Sequence, residues 1–371
     1  MTEKRFIISG GGTGGHIFPA ISIANALRRL NPDAKILFIG AEGRMEMTRI
    51  PAAGYEIIGL PVQGLLRPLW KPENLRVLWK FMKSKHKVKK IISEFKPEVA
   101  IGVGGYASSA TLNAAHELGI PCLIQEQNSF AGLTNKSLAK KAQKICVAYE
   151  GMERFFPKDK ILLTGNPVRQ SLLSNKTSKE EAAAAFGLNP NIPTILLIGG
   201  SLGAKTLNES VLLNVQRIAT APIQFIWQTG SYYKITIQQE LDKISKPDNL
   251  YVTDFISKMD HAYKLADLVI SRAGASSISE LCLLGKPSIL VPSPNVVEDH
   301  QTHNAMALVN KQAAILVRDA EAKEKLIPLA IETVTNRTLL DSLGQNALKM
   351  ALPDSAEIIA KEALKLADKN N

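Results

Sequence analysis

The stretch that decides the fold is Phe6-Ile7-Ile8-Ser9-Gly10-Gly11-Gly12-Thr13-Gly14-Gly15-His16, with Ile17, Phe18 and Pro19 following. A short apolar run that ends in glycines and opens a helix is the strand–turn–helix unit of a doubly wound parallel sheet. Glycine lets backbone approach a phosphate, and a helix N-terminus offers unpaired N–H groups and a positive dipole end. The pattern recurs at Gly102-Val103-Gly104-Gly105-Tyr106, before Ala107 and Ser108. It recurs again at Gly199-Gly200-Ser201-Leu202-Gly203-Ala204, before Lys205. One such loop is explained equally well as a tight βα turn. Three of them, after three apolar runs and in both halves of the chain, point to a site for more than one phosphate group.

Working outward, residues 36–39, 99–103, 122–125 and 144–147 read as further strands after 6–9, with helices at 19–30 and 108–118 between them. A second series starts afresh at 194–198 and continues at 225–228, 251–253, 268–271 and 288–291. At 371 residues, 45% of them hydrophobic, the chain exceeds what one core usually serves. Gly165-Asn166-Pro167-Val168-Arg169 separates the two series and breaks both helix and strand, making it the candidate hinge. The expectation is an α/β protein of two Rossmann-like, doubly wound domains facing a cleft.

The net charge of +11 attracts anions, which on charge alone admits nucleic acid, anionic lipid or phosphorylated substrates. Much of it lies at Arg67, Lys71, Arg76, Lys80, Lys83, Lys85, Lys87, Lys89, Lys90 and Lys96, opposed only by Glu73 and Glu94. Leu65, Leu66, Leu69, Trp70, Leu75, Leu78, Trp79, Phe81 and Met82 are interleaved with that cluster. Such a basic, amphipathic segment suits an anionic lipid interface; a core-facing helix with a solvated lysine face is the plainer alternative. No apolar run reaches the roughly 18–20 residues of a membrane span, and the N-terminal run reads as a strand, not a secretion signal. Cys122, Cys146 and Cys282 are scattered in apolar contexts, which fits core packing in a reducing cytosol and no zinc or disulfide framework.

Two polar clusters follow strands in the second half. In Arg272-Ala273-Gly274-Ala275-Ser276-Ser277-Ile278-Ser279-Glu280, Ser277 and Glu280 have capping-box spacing, which alone would explain both. A carboxylate in the first turn of such a helix would also suit two ribose hydroxyls. The run Asn295-Val296-Val297-Glu298-Asp299-His300-Gln301-Thr302-His303-Asn304 packs donors and acceptors at a strand's carboxyl end, where open α/β sheets bind ligands. It would equally be a solvated loop. Gly10, Gly12 and Gly15 also meet the G-x-G-x-x-G spacing of a dinucleotide site, with Glu42 placed to grip a ribose. An NAD-linked oxidoreductase is therefore the rival reading, although it leaves the third glycine loop without a task. A basic nucleotide-binding regulator without catalysis is a third.

In order along the chain stand Gly11-Gly12-Thr13-Gly14-Gly15-His16, Gly104-Gly105-Tyr106, Glu126-Gln127-Asn128, Gly165-Asn166-Pro167-Val168-Arg169, Gly199-Gly200-Ser201, Arg272-Ala273-Gly274-Ala275 through Glu280, and Asp299 with Gln301. Together they resemble, over essentially the whole chain, the MurG family of glycosyltransferase family 28. These are the UDP-N-acetylglucosamine:undecaprenyl-pyrophosphoryl-muramoyl-pentapeptide N-acetylglucosaminyltransferases of peptidoglycan synthesis. The resemblance implies a GT-B fold, with an acceptor- and membrane-binding domain at 1–168 and a UDP-sugar-binding domain at 169–351. The last segment, 352–371, would pack back on the first domain. It implies an inverting transfer that makes a β-1,4 bond at the inner face of the membrane, with no cofactor and no nucleic acid; the absence of a D-x-D pair separately predicts no required metal. Donor contacts would come from Thr13, Gly14, Gly15, Asn128, Arg169, Ser201, Ile256, Glu280 and Gln301, with Asp299 beside Gln301. The acceptor diphosphate would meet Gly104, Gly105 and Tyr106. Two positions depart from the family pattern: Gln125 stands where a His is frequent, and His300 where an Arg is.

Direct displacement needs a base at the acceptor hydroxyl and positive potential at the departing diphosphate. His16 is the preferred base, its ordinary pKa lying in the useful range, and Glu126 the second candidate. The N–H groups of the third loop, helped by Arg169, would meet the leaving group. No D-x-D pair of a metal-bound nucleotide site is present.

Overall fold

The computed structural model describes residues 3–64, 70–168, 172, 176–244 and 246–369. The chain forms two compact units, residues 1–169 with 352–371 and residues 170–351.

In the first unit the strands are β1 (Arg5–Ser9), β2 (Lys35–Ala41), β3 (Glu56–Leu60), β4 (Val99–Gly102), β5 (Cys122–Glu126), β6 (Lys144–Val147) and β7 (Ile161–Leu163). They form one sheet of order β3-β2-β1-β4-β5-β6-β7, with every described pairing parallel. Side chains alternate between its faces, as a period of two requires. Ile7, Leu37, Ile39, Ala100, Ile124 and Ile145 pack under helices Glu73–Phe95 and Tyr106–Glu117. Phe6, Ile8, Phe38, Ile101, Leu123 and Cys146 pack under helix Gly14–Leu30 on the other face. Both faces are covered, which is why these strands read in the sequence as unbroken apolar runs. The terminal helix Ser355–Asp368 lies in that second layer. Its buried Ala356, Ile359, Ala360, Ala363 and Ala367 form one stripe at helical spacing, and the alanines admit close packing.

The second unit repeats the plan with β8 (Thr194–Ile198), β9 (Gln224–Gln228), β10 (Leu250–Thr253), β11 (Leu268–Ser271), β12 (Ser288–Leu290) and β13 (Ile315–Leu316). Their order is β10-β9-β8-β11-β12-β13, again parallel. Ile195, Leu197, Phe225, Trp227, Leu268 and Ile270 face helices Lys205–Leu213 and Asp319–Thr335. Trp227 is fully buried and its indole N–H donates to Asn208 Oδ1 at 2.9 Å.

Strand order decides which loops matter. In the first sheet the winding reverses between β1 and β4, and in the second between β8 and β11. Open α/β sheets bind ligands at the carboxyl ends of the strands that flank such a reversal. The loops there are Gly10–Thr13 and Val103–Gly105 in the first unit, and Gly199–Ala204 and Arg272–Gly274 in the second. All three glycine-rich loops are therefore at the reversals.

Three strands go unread in the sequence: β3, β7 and β13. Each is short or interrupted; β3 contains Gly59, which leaves room for Glu42 and Met47 side chains. The first helix begins at Gly14 and not at Pro19. Gly14 and Gly15 continue the helical turn, so His16 sits inside the first turn of a helix, not in the loop before it.

Candidate functional site

In the first unit, Thr13 is the N-cap of helix Gly14–Leu30 and Gly105 that of helix Tyr106–Glu117. Neither helix carries a side-chain cap, which leaves their first N–H groups to other partners. Gly12 has φ +86° with nothing near the position of a side chain, so the turn itself demands glycine. Gly104 is glycine for space: a Cβ there would lie 2.8 Å from His16 Nε2. Tyr106 covers Gly64 with its ring.

His16 Nδ1 lies 2.9 Å from the carbonyl oxygen of Gly11 and 3.4 Å from Thr13 Oγ1. A carbonyl only accepts, so Nδ1 carries the proton and donates it. In the neutral ring Nε2 is then the basic nitrogen, which is the tautomer a general base requires.

Glu126, the second candidate for base, is held by the loop that follows it. It is buried, and its carboxylate accepts from the N–H of Asn128 and of Gly132 at 3.0 Å each. Asn135 Nδ2 adds a third bond at 2.9 Å. Both oxygens are engaged in holding the loop after β5, including Asn128, whose own Nδ2 also donates to it at 3.3 Å. Gln127 Nε2 donates to Val103 O at 2.9 Å and ties this loop to the one after β4. Gln125, the departure from the family pattern, is fully buried. It donates to Asn166 Oδ1 at 3.0 Å and accepts a close hydrogen bond from Gln127. Asn166 in turn donates to Gln127 O at 2.9 Å. Gly165 has φ +80°, and a Cβ there would meet Leu352 and Ser355 at 2.6 Å. The first two residues of the candidate hinge are thus fastened into this unit; Arg169 lies outside the described residues.

The dinucleotide reading fails on two residues. Glu42, which it assigns to a ribose, lies 3.5 Å from Lys87 Nζ and packs on Gly59. The N–H of Gly12, where a pyrophosphate would sit, donates instead to the buried carboxylate of Glu46 at 3.0 Å.

In the second unit, Gly200 repeats the geometry of Gly12, with φ +86° and nothing near its side-chain position. Ser201 is exposed, and its carbonyl accepts from Ser231 N at 3.0 Å. Helix Lys205–Leu213 begins at Ala204 without a side-chain cap. Helix Ala275–Leu283 does the same at Gly274. This corrects the capping box: the N-cap is Gly274, so Glu280 is in the second turn, too far along to cap. Its buried carboxylate accepts from Tyr263 OH at 3.0 Å. Ile256 is buried. Gln301 Oε1 accepts from Ser293 N at 2.8 Å, and Asp299 Oδ1 from Thr302 Oγ1 at 2.7 Å. His300 opens helix His300–Val309.

Arg272 is a strut. Its Nη1 donates to Val291 O and Pro292 O at 3.1 Å and to Asp319 Oδ1 at 2.5 Å. Asp319 Oδ2 accepts from Thr206 Oγ1 at 2.9 Å. One carboxylate thereby joins the helix after the Gly199 loop to the strand end before the polar loop. Asp319, Tyr263 and Glu46 escape a sequence reading; no motif marks them, because each acts through a fold-dependent contact 17 to 113 residues away.

Among the described residues no three His, Cys, Asp or Glu side chains are grouped to hold a metal ion. Cys122, Cys146 and Cys282 are buried, and burial pushes each thiol up to about 12. No described helix is long and apolar enough to cross a membrane. In helix Glu73–Phe95, Val77, Val88, Ile91 and Ile92 face the core. Leu75, Leu78, Trp79 and Met82 form a second apolar stripe that faces outward, Leu75 being 73% and nearby Trp70 84% exposed. Phe81 and Phe95 also pack against the core, so the core-facing alternative accounts for those residues but not for the four outward ones. Lys83 stacks on Trp79 at 5.3 Å, Lys85 and Lys89 pair with Glu117, and Lys87 donates to Gly59 O at 2.7 Å. Residues 65–69 lie outside the described ones.

Comparison with known proteins agrees with the glycine loops and the two strand reversals. Residues 6–147 match the glycosyltransferase family 28 N-terminal domain and residues 194–359 its C-terminal domain. A Bacteroides fragilis protein named UDP-N-acetylglucosamine–N-acetylmuramyl-(pentapeptide) pyrophosphoryl-undecaprenol N-acetylglucosamine transferase is 61% identical over 99% of this chain and 96% of its own length. A Bacteroides thetaiotaomicron protein of the same name is 59% identical over 100% of this chain and 99% of its own. The crystal structure of Acinetobacter baumannii MurG superposes with a TM-score of 0.78 at 28% identity, covering 98% of this chain and 99% of that one. Two parallel-sheet α/β domains with uncapped helices at their strand reversals, matched end to end by these relatives, make this GT-B chain a member of glycosyltransferase family 28.

Proposed function

We propose that the chain transfers N-acetylglucosamine from UDP-N-acetylglucosamine to an undecaprenyl-pyrophosphoryl-muramoyl pentapeptide, forming a β-1,4 bond with inversion, as a step of peptidoglycan synthesis. The observation that carries this reading is the full-length relationship, 61% identity over 99% of the chain, to transferases with that donor and acceptor in their name. The His16 tautomer supports it chemically. Nε2 takes the proton of the attacking hydroxyl while Nδ1–H stays on Gly11 O, and the sugar's bond to the diphosphate breaks as the new bond forms.

In this reading the first unit holds the acceptor, with its diphosphate on Gly104, Gly105 and Tyr106, and contributes Thr13, Gly14, Gly15 and Asn128 to the donor. The second unit holds the nucleotide sugar. Ser201 and the N–H groups beginning helix Lys205–Leu213 take the diphosphate with Arg169, and their preset positive potential stabilises the charge that develops on it. Ile256 offers backbone to the uracil, Glu280 accepts from the ribose hydroxyls, and Gln301 with Asp299 reads the sugar. Glu126 serves as the clamp of the Asn128 loop. Calorimetric titration tests the donor: UDP-N-acetylglucosamine binds and NADH does not. Binding of NADH alone would overturn the assignment.

The outward stripe Trp70, Leu75, Leu78, Trp79 and Met82, with Arg76, Lys80 and Lys83 beside it, is the proposed seat on the inner leaflet. It would make the protein peripheral at the inner membrane's cytoplasmic face. Each such apolar side chain taken from water contributes about 1–2 kcal/mol at the exposure seen, and each basic residue about 1 kcal/mol near an anionic surface. Replacing Leu75, Trp79 and Met82 by Ser should abolish cosedimentation with phosphatidylglycerol vesicles. Unchanged cosedimentation would refute the seat. Lys85, Lys87 and Lys89 are poorer test sites, since they hold the fold.

A further inference from the structure

We infer that Glu46 is a positioning residue for His16, acting through the single peptide group between Gly11 and Gly12. Glu46 opens the short helix Glu46–Ala52 and is fully buried. Its Oε1 accepts from Ala41 N and its Oε2 from Gly12 N, both at 3.0 Å. Both oxygens are thus engaged by backbone donors. Two glycines make room for it: a Cβ on Gly11 would lie 2.0 Å from Glu46 Oε1, and one on Gly40 2.7 Å from its Cγ.

The N–H of Gly12 and the C=O of Gly11 belong to one planar, trans peptide unit and point in opposite directions. Glu46 takes the N–H side of that unit, while His16 Nδ1 bonds the carbonyl side at 2.9 Å. Three consequences follow from elementary electrostatics. The carboxylate fixes the plane of the peptide, and so the direction in which the carbonyl presents its lone pairs. It polarises the amide, making Gly11 O a stronger acceptor, as in any chain of hydrogen bonds. It thereby favours the Nδ1–H tautomer and stabilises the imidazolium that forms when Nε2 takes a proton. A carboxylate bonded directly to an imidazole does the same in hydrolytic triads; here one peptide group stands between them. Gly105 completes the arrangement, since a Cβ on it would lie 2.8 Å from Gly11 O. The peptide is held from three sides.

The inference rests on the reading of His16 as base, and the test separates the two. In the full-length protein, Glu46→Gln keeps the size of the side chain but turns an amide NH₂ toward one backbone donor and removes the charge. Turnover should fall about 10- to 100-fold, the usual loss when the group orienting a functional imidazole is removed, with the donor KM within about twofold. In a His16→Ala background the same substitution should cost nothing further, because both changes remove one device. Nitrogen NMR of the His16 ring should show the Nδ1–H form in the wild type and a mixture of tautomers in Glu46→Gln. Should Glu46→Gln fail to fold, Glu46→Asp carries the same readings, since its shorter arm reaches only one of the two N–H groups. Independent, multiplying losses in the double variant, or an unchanged tautomer, would overturn the role of Glu46 and leave His16 as base. Full turnover in His16→Ala would instead overturn the base itself.

Discussion

Replacing Asp319 by Ala should injure donor binding from outside the donor site. The carboxylate bridges Arg272 Nη1 at 2.5 Å and Thr206 Oγ1 at 2.9 Å, and the Arg272 and Asp319 side chains retain 15% and 20% of their exposure. Removing one partner of a fully buried pair costs about 3–5 kcal/mol. Residual solvent at this site lowers the expectation to about 2–3 kcal/mol. In a domain of this size that corresponds to a fall in Tm of roughly 5–10 °C. Arg272 also holds the carbonyls of Val291 and Pro292, just before the Ser293 N–H that fixes Gln301. Freed from Asp319, it loosens both ends of the donor-side loops, so the donor KM should rise about tenfold, equivalent to roughly 1.4 kcal/mol, with a smaller loss in turnover. Differential scanning fluorimetry with and without UDP, and steady-state kinetics in donor and acceptor, measure these quantities. An Asp319→Ala protein with unchanged Tm and donor KM would show that Arg272 is held by its carbonyl partners alone and would refute the strut.

Ile359→Ala empties a fully buried position in the terminal helix and should destabilise the first unit by about 2–4 kcal/mol in urea unfolding; the donor KM should not change. The three thiols, each pushed up to about 12 by burial, should resist a disulfide reagent at neutral pH until the protein is unfolded. Hydrogen bonds from Lys85 and Lys89 hold the Glu117 carboxyl down to about 2. Its folded value lies below its unfolded one, so this pairing is fully present above the ordinary carboxylate range and is lost as pH falls toward about 2. Glu117→Gln should therefore lessen the drop in urea midpoint between about pH 5 and about pH 3.

Much of the fold is legible in the sequence because parallel strands buried on both faces leave unbroken apolar runs. Residues 144–147, 194–198 and 268–271 are strands over the same bounds in the structure. Where a strand is two or three residues long, as β13 and β7 are, or carries a glycine that admits a neighbour, as β3 does, the apolar signal falls below recognition. The glycine loops are legible as a class, but their rank follows from the strand reversals, which only the sheet order reveals. Ser277 and Glu280 mislead for a physical reason: three-residue spacing serves a cap and a helix interior alike, and only the backbone at Gly274 tells them apart. Glu126 reads as a candidate base because a carboxylate beside a loop has the right chemistry. Its donors, from Asn128, Gly132 and Asn135, are near in sequence, but only the folded loop after β5 turns them onto the carboxylate. Glu46 is the extreme case, since its partner Gly12 is 34 residues away and the sole trace of the contact in the sequence is the need for glycine at 11 and 40.

The most direct test of the account is transfer of radiolabelled N-acetylglucosamine from the UDP donor to a lipid-linked muramoyl pentapeptide, with the product's linkage read by NMR. Wild-type protein should form the β-1,4 disaccharide without added metal, and His16→Ala should lower turnover by about 10²- to 10⁴-fold with nearly unchanged donor affinity. Retained α configuration, no transfer, or equal losses of turnover and donor affinity in His16→Ala would contradict it.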